Sequence, residues 1–437
     1  MLRGALLYVL LPVLVFWILS NTYVGLVLYT CANIIRPEMF FWGGNQGAIV
    51  FKVFIGAAMI SFLRNPGGRL TSAFACRDFW LIIWIWVALL VSIWFSPYPT
   101  NPLAYEFANE FLKLAVLLWL VLGLLHSEER IVHYERTMLG AFSFLALWGV
   151  EQHFRGNERL EGLGGAAFGD SNGVAAILVL AFPLALNLAL HSSEKRERWL
   201  GWGASAAILL AVIATQSRGG FLGLSVAAAV FFLHSRKKKQ LILITSVLLG
   251  VAALFVTDGY LNRMSTITAE EEERDLSSGS RLVLWKAGMM VFRDNPIIGT
   301  GFLSFPIAKQ EYKDAVPNVD EKLREYSFRG YKVSHNSYVQ ALSEGGLFLF
   351  VPYALLILGC LWGNRALRRA KRDQAEHRLM LLLNGIEAGI VGYCVCIVFI
   401  NALTVVLLPV QIVVSRVIRD TLQREEESAL PAVEAAL

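Results

Sequence analysis

Charge is the scarcest ingredient of this 437-residue chain: Asp, Glu, Lys and Arg together make up 17% of it, against about a quarter in a soluble domain. With 56% hydrophobic residues, that deficit excludes an ordinary soluble globular protein. Cysteine is sparse as well. The five, Cys31, Cys76, Cys360, Cys394 and Cys396, are odd in number, lack paired metal spacing and lie mostly in apolar runs. They read as small packing residues, with neither a disulfide nor a metal expected. Internal repeats and low-complexity tracts are missing, which argues against a transporter built from repeated halves. The N-terminal apolar run has one Arg and no small-residue cleavage site, so it is expected to be a retained first helix. The net charge of +5 sits in short loops between apolar blocks. There it reports membrane topology, and no nucleic-acid partner is expected.

The chain does hold apolar blocks long enough to span a bilayer, which takes roughly 20 residues per helix. Spans are expected at about 47–63, 79–96, 108–125, 135–150, 173–191, 199–214, 219–233, 239–257, 345–362, 381–400 and 404–420. The stretch 5–34 makes one or two crossings, with a break near Asn21. The blocks are too long and too rich in Leu, Ala and Gly for barrel strands. The expected fold is all-α: a polytopic membrane protein of about 12 transmembrane helices. It divides into N-terminal helices (1–257), a large outward loop (258–344), and C-terminal helices with a tail (345–437).

Basic residues set the orientation. Arg64, Arg69 and Arg77, then Arg130 and Arg136, "EKRER" (194–198), "SRKKK" (235–239) and the basic stretch 365–378 fall in alternate loops. All of these are expected to be cytoplasmic. The loops 97–107, 151–172, 214–218 and 258–335 then face outward. The last opens with an acidic run, 269–275, that reads as a solvated segment. In it, Leu284, Trp285, Gly288, Met289 and Phe292 recur near helical spacing, and Pro296 ends the pattern. That helix either lies on the outer membrane surface or packs beneath the loop.

Three stretches from distant parts of the chain reach this outer side. "ATQSRGGFLGL" carries Gln216 and Arg218, "GSRLVLW" carries Arg281, and "SHNSY" carries His335, Asn336 and Tyr338. A lone Arg at the bilayer boundary is commonly a snorkelling anchor. Arg218, however, runs against the positive-inside trend and sits in a Ser-Arg-Gly-Gly turn, where glycines permit close approach. Guanidinium groups suit the paired hydrogen bonds of phosphate oxygens. A histidine of ordinary pKa accepts a proton at neutral pH, or serves only as a hydrogen-bonded structural residue. Asn336, Ser337 and Tyr338 fit a helix cap as well as a polar site. "GLGGAAFGDSNGVAA" (162–176) places Asp170, Ser171 and Asn172 at another helix start, as an N-cap or as an anion- or sugar-holding end. Glu344, near the outer end of a span, either orients a neighbour or stays in interfacial water.

"SRGG" at the outer end of a span, then "GSR…W…DNPIIGTGF" and "HNSYVQALSEGGL" in that order, resemble the O-antigen ligase superfamily. This family includes the WaaL-type lipopolysaccharide O-antigen ligases, the Wzy-type polysaccharide polymerases and the bacterial protein O-oligosaccharyltransferases. The resemblance implies a GT-C-type glycosyltransferase, with no cofactor and no metal, in the bacterial inner membrane with its site on the periplasmic face. It implies a glycan on undecaprenyl pyrophosphate as donor and, for the ligases, a lipid A-core acceptor. Carried over to this chain, Arg218 and Arg281 bind pyrophosphate and His335 activates the acceptor hydroxyl. Gln216, Asp170, Asn172, Asn336 and Tyr338 are the further substrate-binding candidates. The N-terminal "TYVGLVLYTCANIIRPEMFFWG" also resembles an O-glycosylation-ligase branch linked to exosortase systems, which leaves the acceptor open. The competing class is a lipid-linked solute transporter, for which Lys52, Lys113 and Glu387 would be the ionisable candidates within the membrane.

The loop charges generate a topology test. A cysteine placed at Glu270 should react with an impermeant reagent in intact spheroplasts, and one at Lys238 only after permeabilisation. The reverse pattern would put the three motifs on the wrong side for an exported acceptor.

Overall fold

The computed structural model describes residues 2–37, 47–65, 71–163, 170–253 and 276–434. Arg69 and the acidic run 269–275 lie outside them, as do residues 164–169 of the glycine-rich stretch. The described residues are helical and contain no strand. In chain order the helices are α1 (Leu2–Ser20), α2 (Thr22–Ile35), α3 (Gly47–Arg64), α4 (Arg77–Trp94), α5 (Pro102–Leu124), α6 (Glu128–Phe154), α7 (Ser171–His191), α8 (Lys195–Ala214), α9 (Arg218–His234) and α10 (Lys238–Ala253). After α10 come α11 (Leu276–Asp294), α12 (Glu321–Phe328), α13 (Ser337–Ala370), α14 (Arg378–Cys396) and α15 (Leu407–Glu434).

Six of these, α4, α5, α7, α8, α13 and α14, are long and apolar enough to cross a membrane. This is a multi-pass membrane protein by length and composition. Val9–Ser20, Thr22–Ile35 and Arg218–His234 are apolar but shorter. Each of the other spans read from the sequence overlaps a helix, but polar groups lower the hydropathy of some. Thus α6 carries Glu135, and α15 carries Arg416, Arg419 and Asp420. The break at Asn21 is a helix restart: its side chain caps α2 by accepting from the Tyr23 amide.

The apolar periodicity is buried where helices meet, and α7 and α14 are the most deeply enclosed spans. Small residues set the spacing between them and their neighbours. A Cβ on Gly389 would overlap the Leu180 carbonyl, and one on Gly223 would overlap the sulfur of Cys396, so backbones approach closely as in other membrane bundles. Two of the three charged candidates are paired, and Lys52 is exposed. Glu387 takes both oxygens to Arg368, and Lys113 bonds Glu110.

One helix decides how the segment after α11 is attached. α13 starts at Ser337, earlier than the span read from sequence, and breaks at Gly346, whose φ is +59° and ψ −162°. The break frees amides that a helix would otherwise satisfy. Leu347 donates instead to the Pro296 carbonyl at 2.8 Å, and Phe348 to the Ile297 carbonyl at 2.9 Å. In return Thr300 and Gly301 donate to the carbonyls of Ser343 and Glu344 at 3.0 and 2.9 Å. The turn after α11 is thereby laced into the membrane helix, leaving these buried backbone groups satisfied. Gly346 and Gly299 both have positive φ, and a Cβ on either would strike the opposite backbone.

Glu344 lies inside this joint, 1% exposed. Its carboxylate accepts from the Phe305 amide at 3.2 Å and from Gln340 Nε2 at 3.0 Å. Of its two sequence readings, orienting a neighbour holds and interfacial water does not. α11 likewise packs, as the second of its two sequence readings has it. Val283, Leu284, Ala287 and Val291 are buried, and Gly288 meets Val339 of α13. The buried stripe is shifted from the one expected, leaving Met289 44% exposed.

Gly346→Ala combines a clash with a left-handed backbone, each worth about 1–3 kcal/mol. The detergent-purified variant should melt several degrees below wild type. Gly203→Ala, whose new methyl meets nothing in a helix interior, should be neutral or slightly stabilising. Equal midpoints for wild type and the Gly346 variant would show that the joint carries no stability.

Candidate functional site

Three helices begin at one end of the bundle, and each start is capped by a side chain suited to it. Asp170 accepts from the Gly173 amide at 2.9 Å to open α7. Ser217 accepts from Gly220 at 3.0 Å to open α9. Asn336 accepts from Tyr338 and Val339 at 2.9 and 3.1 Å to open α13. The first two caps are wired together. Ser217 Oγ donates to Asn172 Oδ1 at 2.8 Å, and Asn172 Nδ2 donates to Asp170 at 3.3 Å. Helix starts concentrate unpaired amides and positive dipole ends, so three of them make an anion-attracting surface.

Trp285 and Phe399 join the remaining pieces. Their rings lie 6.2 Å apart, and Phe399 fills the space left by the missing side chain of Gly219. Trp285 Nε1 donates to the Ser334 carbonyl at 3.0 Å, fixing α11 beside the residue before His335. Ser337 anchors the start of α13 to the chain after α14. Its amide donates to the Ile397 carbonyl at 2.9 Å, and its hydroxyl bridges the Ile400 carbonyl and the Ala402 amide at 2.8 Å each.

His335 sits at the meeting point, half-buried, with φ at +49°. Left-handed backbone is uncommon for a non-glycine residue and persists only where the surroundings over-determine it. Gln216, the residue before the cap of α9, is also left-handed at +52°. Burial, then the charge of Arg281, lower the His335 pKa from 6.5 to about 4, with Lys332 and Lys309 acting in the same direction and Asp170 opposing them. The imidazole is therefore neutral at pH 7 and stands in a positive field.

Most of the residues singled out in the sequence converge here. Arg281 and Asp170 both act electrostatically on His335. Arg218 is the first residue of α9 and, like Arg281, is half-buried. The Ser-Arg-Gly-Gly stretch is a capped helix start and not a turn: Gly219 and Gly220 admit Phe399 and Ala175, so the glycines serve packing. Asn172 and Asn336 use their carbonyl oxygens within the caps. Gln216 Nε2 donates to the Glu158 carbonyl at 3.3 Å. Tyr338 turns into the bundle, its hydroxyl on the Cys394 carbonyl at 3.0 Å.

Other contributors had no clear sequence signal. Lys309 is fully buried, donates to the Ser327 carbonyl at 3.2 Å, and has its pKa lowered to about 8, first by burial and then by Lys332. Trp285, read as part of an apolar stripe and of the "GSR…W" motif, is a hydrogen-bonded strut. Arg159 reaches Ser171 Oγ at 3.2 Å and adds a cation beside the α7 start. Among the described residues no group of three or more His, Cys, Asp or Glu side chains is placed to hold a metal ion.

The assembly offers half-buried guanidinium groups, three helix starts and a neutral imidazole, a combination suited to an anionic leaving group and a nearby hydroxyl. Comparison with known proteins gives two similarities. An uncharacterized protein of Haemophilus influenzae (strain ATCC 51907 / DSM 11121 / KW20 / Rd) is 25% identical over 201 residues, which is 43% of this chain and 48% of the relative. The match thus spans about half the length of that curated relative. Residues 203–354, the segment holding Arg218, Arg281 and His335, match the sequence profile of the family described as O-antigen ligase, the family that the motifs resemble.

Proposed function

We propose that this protein is an O-antigen ligase, a glycosyltransferase of GT-C type. It moves a glycan from undecaprenyl pyrophosphate to a lipid A-core acceptor at the periplasmic face of the inner membrane. The observation that carries the reading is the neutral His335, held beside Arg281 and Asp170 where three helix starts meet. In the reaction an acceptor hydroxyl oxygen bonds to the anomeric carbon as the bond to the pyrophosphate oxygen breaks. His335 takes the hydroxyl proton, and the electron pair leaves on the pyrophosphate. Arg218 and Arg281 bind that group, and preorganised charge lowers the barrier where the negative charge grows. A base and a positioned nucleophile supply the remainder. Gln216, Asp170 and Asn172 line the sugar side, while the inward turn of Tyr338 makes it a support for the α13 start.

Purified protein, an undecaprenyl-pyrophosphate glycan and lipid A-core in one reaction test the proposal, with the glycosylated core as readout. Growth of the glycan on a second lipid-linked glycan would identify a polymerase instead, and movement of donor without transfer would identify a transporter. Arg218→Ala and Arg281→Ala should each weaken donor binding by about 1.5–3 kcal/mol, with Lys restoring only part because it lacks the paired fork. His335→Ala should cut transfer by ~10²–10⁴-fold with donor binding near normal. Loss of donor binding in the His335 variant would move the histidine to the pyrophosphate site.

The pH dependence follows from the lowered pKa of His335. Transfer should stay level from pH 8 to about 6 and fall only as pH nears about 4. A fall centred near 6.5 would mean an unperturbed imidazole. The same shift acts on stability. Between the unfolded value of 6.5 and about 4 the unfolded chain binds the additional proton. The His335 contribution to stability is therefore complete above 6.5 and is lost as pH falls towards 4.

A further inference from the structure

The opposite end of α13 holds a second charged region that the proposed transfer does not use. Val351, Leu355, Leu358 and Trp362 are between 37% and 76% exposed and recur every three or four residues along one face of the helix. The same face continues as Arg365, Arg369 and, just past the helix end, Arg372, all exposed. It thus changes from apolar to arginine within one turn.

Beside the arginines lies an open cleft of ≈ 570 Å³ between α9, α13 and α14. Its walls are apolar, with Val230 and Leu233 on α9 and Val391 on α14. Its one acid, Glu387, is 6% exposed and already saturated. Arg368 grips both of its oxygens at 2.9 and 2.6 Å, and His234 Nε2 stands 3.9 Å away. Arg365, Arg369 and Arg372 make no ion pair among the described residues, so three cations face a cleft with no remaining counter-charge. On another face of α13 the cleft lined by Lys371, Arg416 and Arg419 differs in this respect. There Lys371 pairs with Glu426, Arg416 with Asp420, and Arg419 bonds Asn364.

Topology by itself calls for basic residues somewhere in the loop, but not for three on one helical face at the rim of an apolar-walled cleft. We propose that this cleft binds an anionic glycerophospholipid of the adjoining leaflet. Its phosphodiester sits among Arg365, Arg369 and Arg372, and an acyl chain lies along Trp362, Leu358 and Leu355. Arginine forks match phosphate oxygens, and basic pockets between membrane helices recognise acidic head groups in this way. A zwitterionic lipid would bring its own cation into the same space. The inference does not rest on the glycosyl-transfer reading.

The test uses full-length protein, delipidated in neutral detergent. Phosphatidylglycerol should raise the melting midpoint, as binding to the folded state requires, while phosphatidylcholine and inorganic phosphate should leave it unchanged. The triple variant R365Q/R369Q/R372Q should need at least tenfold more phosphatidylglycerol for the same shift. If it folds poorly, the exposed single substitution R369Q should weaken retention of phosphatidylglycerol in native mass spectra by severalfold. An unchanged response in the variant overturns the proposal. So does an equal shift from phosphatidylcholine, which would be general solvation, or from inorganic phosphate, which would be a free-anion site.

Discussion

The exchange of backbone hydrogen bonds between the Gly346 break and the turn at 296–301 is the constraint on which the rest of the candidate site depends. A helix interrupted near a membrane surface leaves donors and acceptors that lipid cannot satisfy. Here the partners come from the turn that ends α11, so the break and the turn complete each other. Both glycines at the joint have positive φ and no room for a Cβ, which fixes the register between the two segments. With it fixed, α11 brings Arg281, and the segment just before α13 brings His335, to the capped starts of α7 and α9.

The site illustrates how a membrane protein collects positive potential without burying bare charge. Much of that potential comes from helix starts, whose amides are part of the fold in any case. The guanidinium groups of Arg218 and Arg281 stay half-buried, close enough to water to remain solvated and close enough to the caps to add to their field. Neutral His335 fits this setting, because a charged imidazole would repel Arg281 and Lys332.

Much of this was legible in the sequence, for identifiable reasons. Apolar runs place the helices because the bilayer demands them. Asp170 and Asn336 stand at helix starts because short polar side chains belong there, whereas the cap at Ser217 was read as part of a turn. The meeting of Arg281 with His335 was readable from loop topology, which brings distant segments to one side. The Gly346 break was not, because "SEGGLFLF" reads as a continuous run when only composition is considered. Nor was the inward turn of Tyr338, which depends on the Cys394 carbonyl 56 residues away. The stripe on α11 was misplaced because apolar residues lie on more than one of its faces, and only Val339 and Phe305 show which face meets the bundle. Lys309 was hidden for a similar reason: a lysine in a polar loop gives no sign of being fully enclosed.

The left-handed backbone at His335 restricts which residues that position accepts over evolutionary drift. With φ at +49°, a β-branched or bulky residue meets a steric barrier before its chemistry matters. Glycine, Asn and Asp pass that barrier more easily, but none of them offers a base that is neutral at pH 7 and still accepts a proton. Backbone and chemistry therefore screen the position independently, and histidine belongs to the small group of side chains that satisfies both. A lineage that lost the histidine would most readily settle on asparagine or glycine. On the proposed role of His335 as base, either residue, found after Ser334 in an otherwise intact "SHNSY" segment, would mark a chain that has kept the fold and given up the proposed reaction.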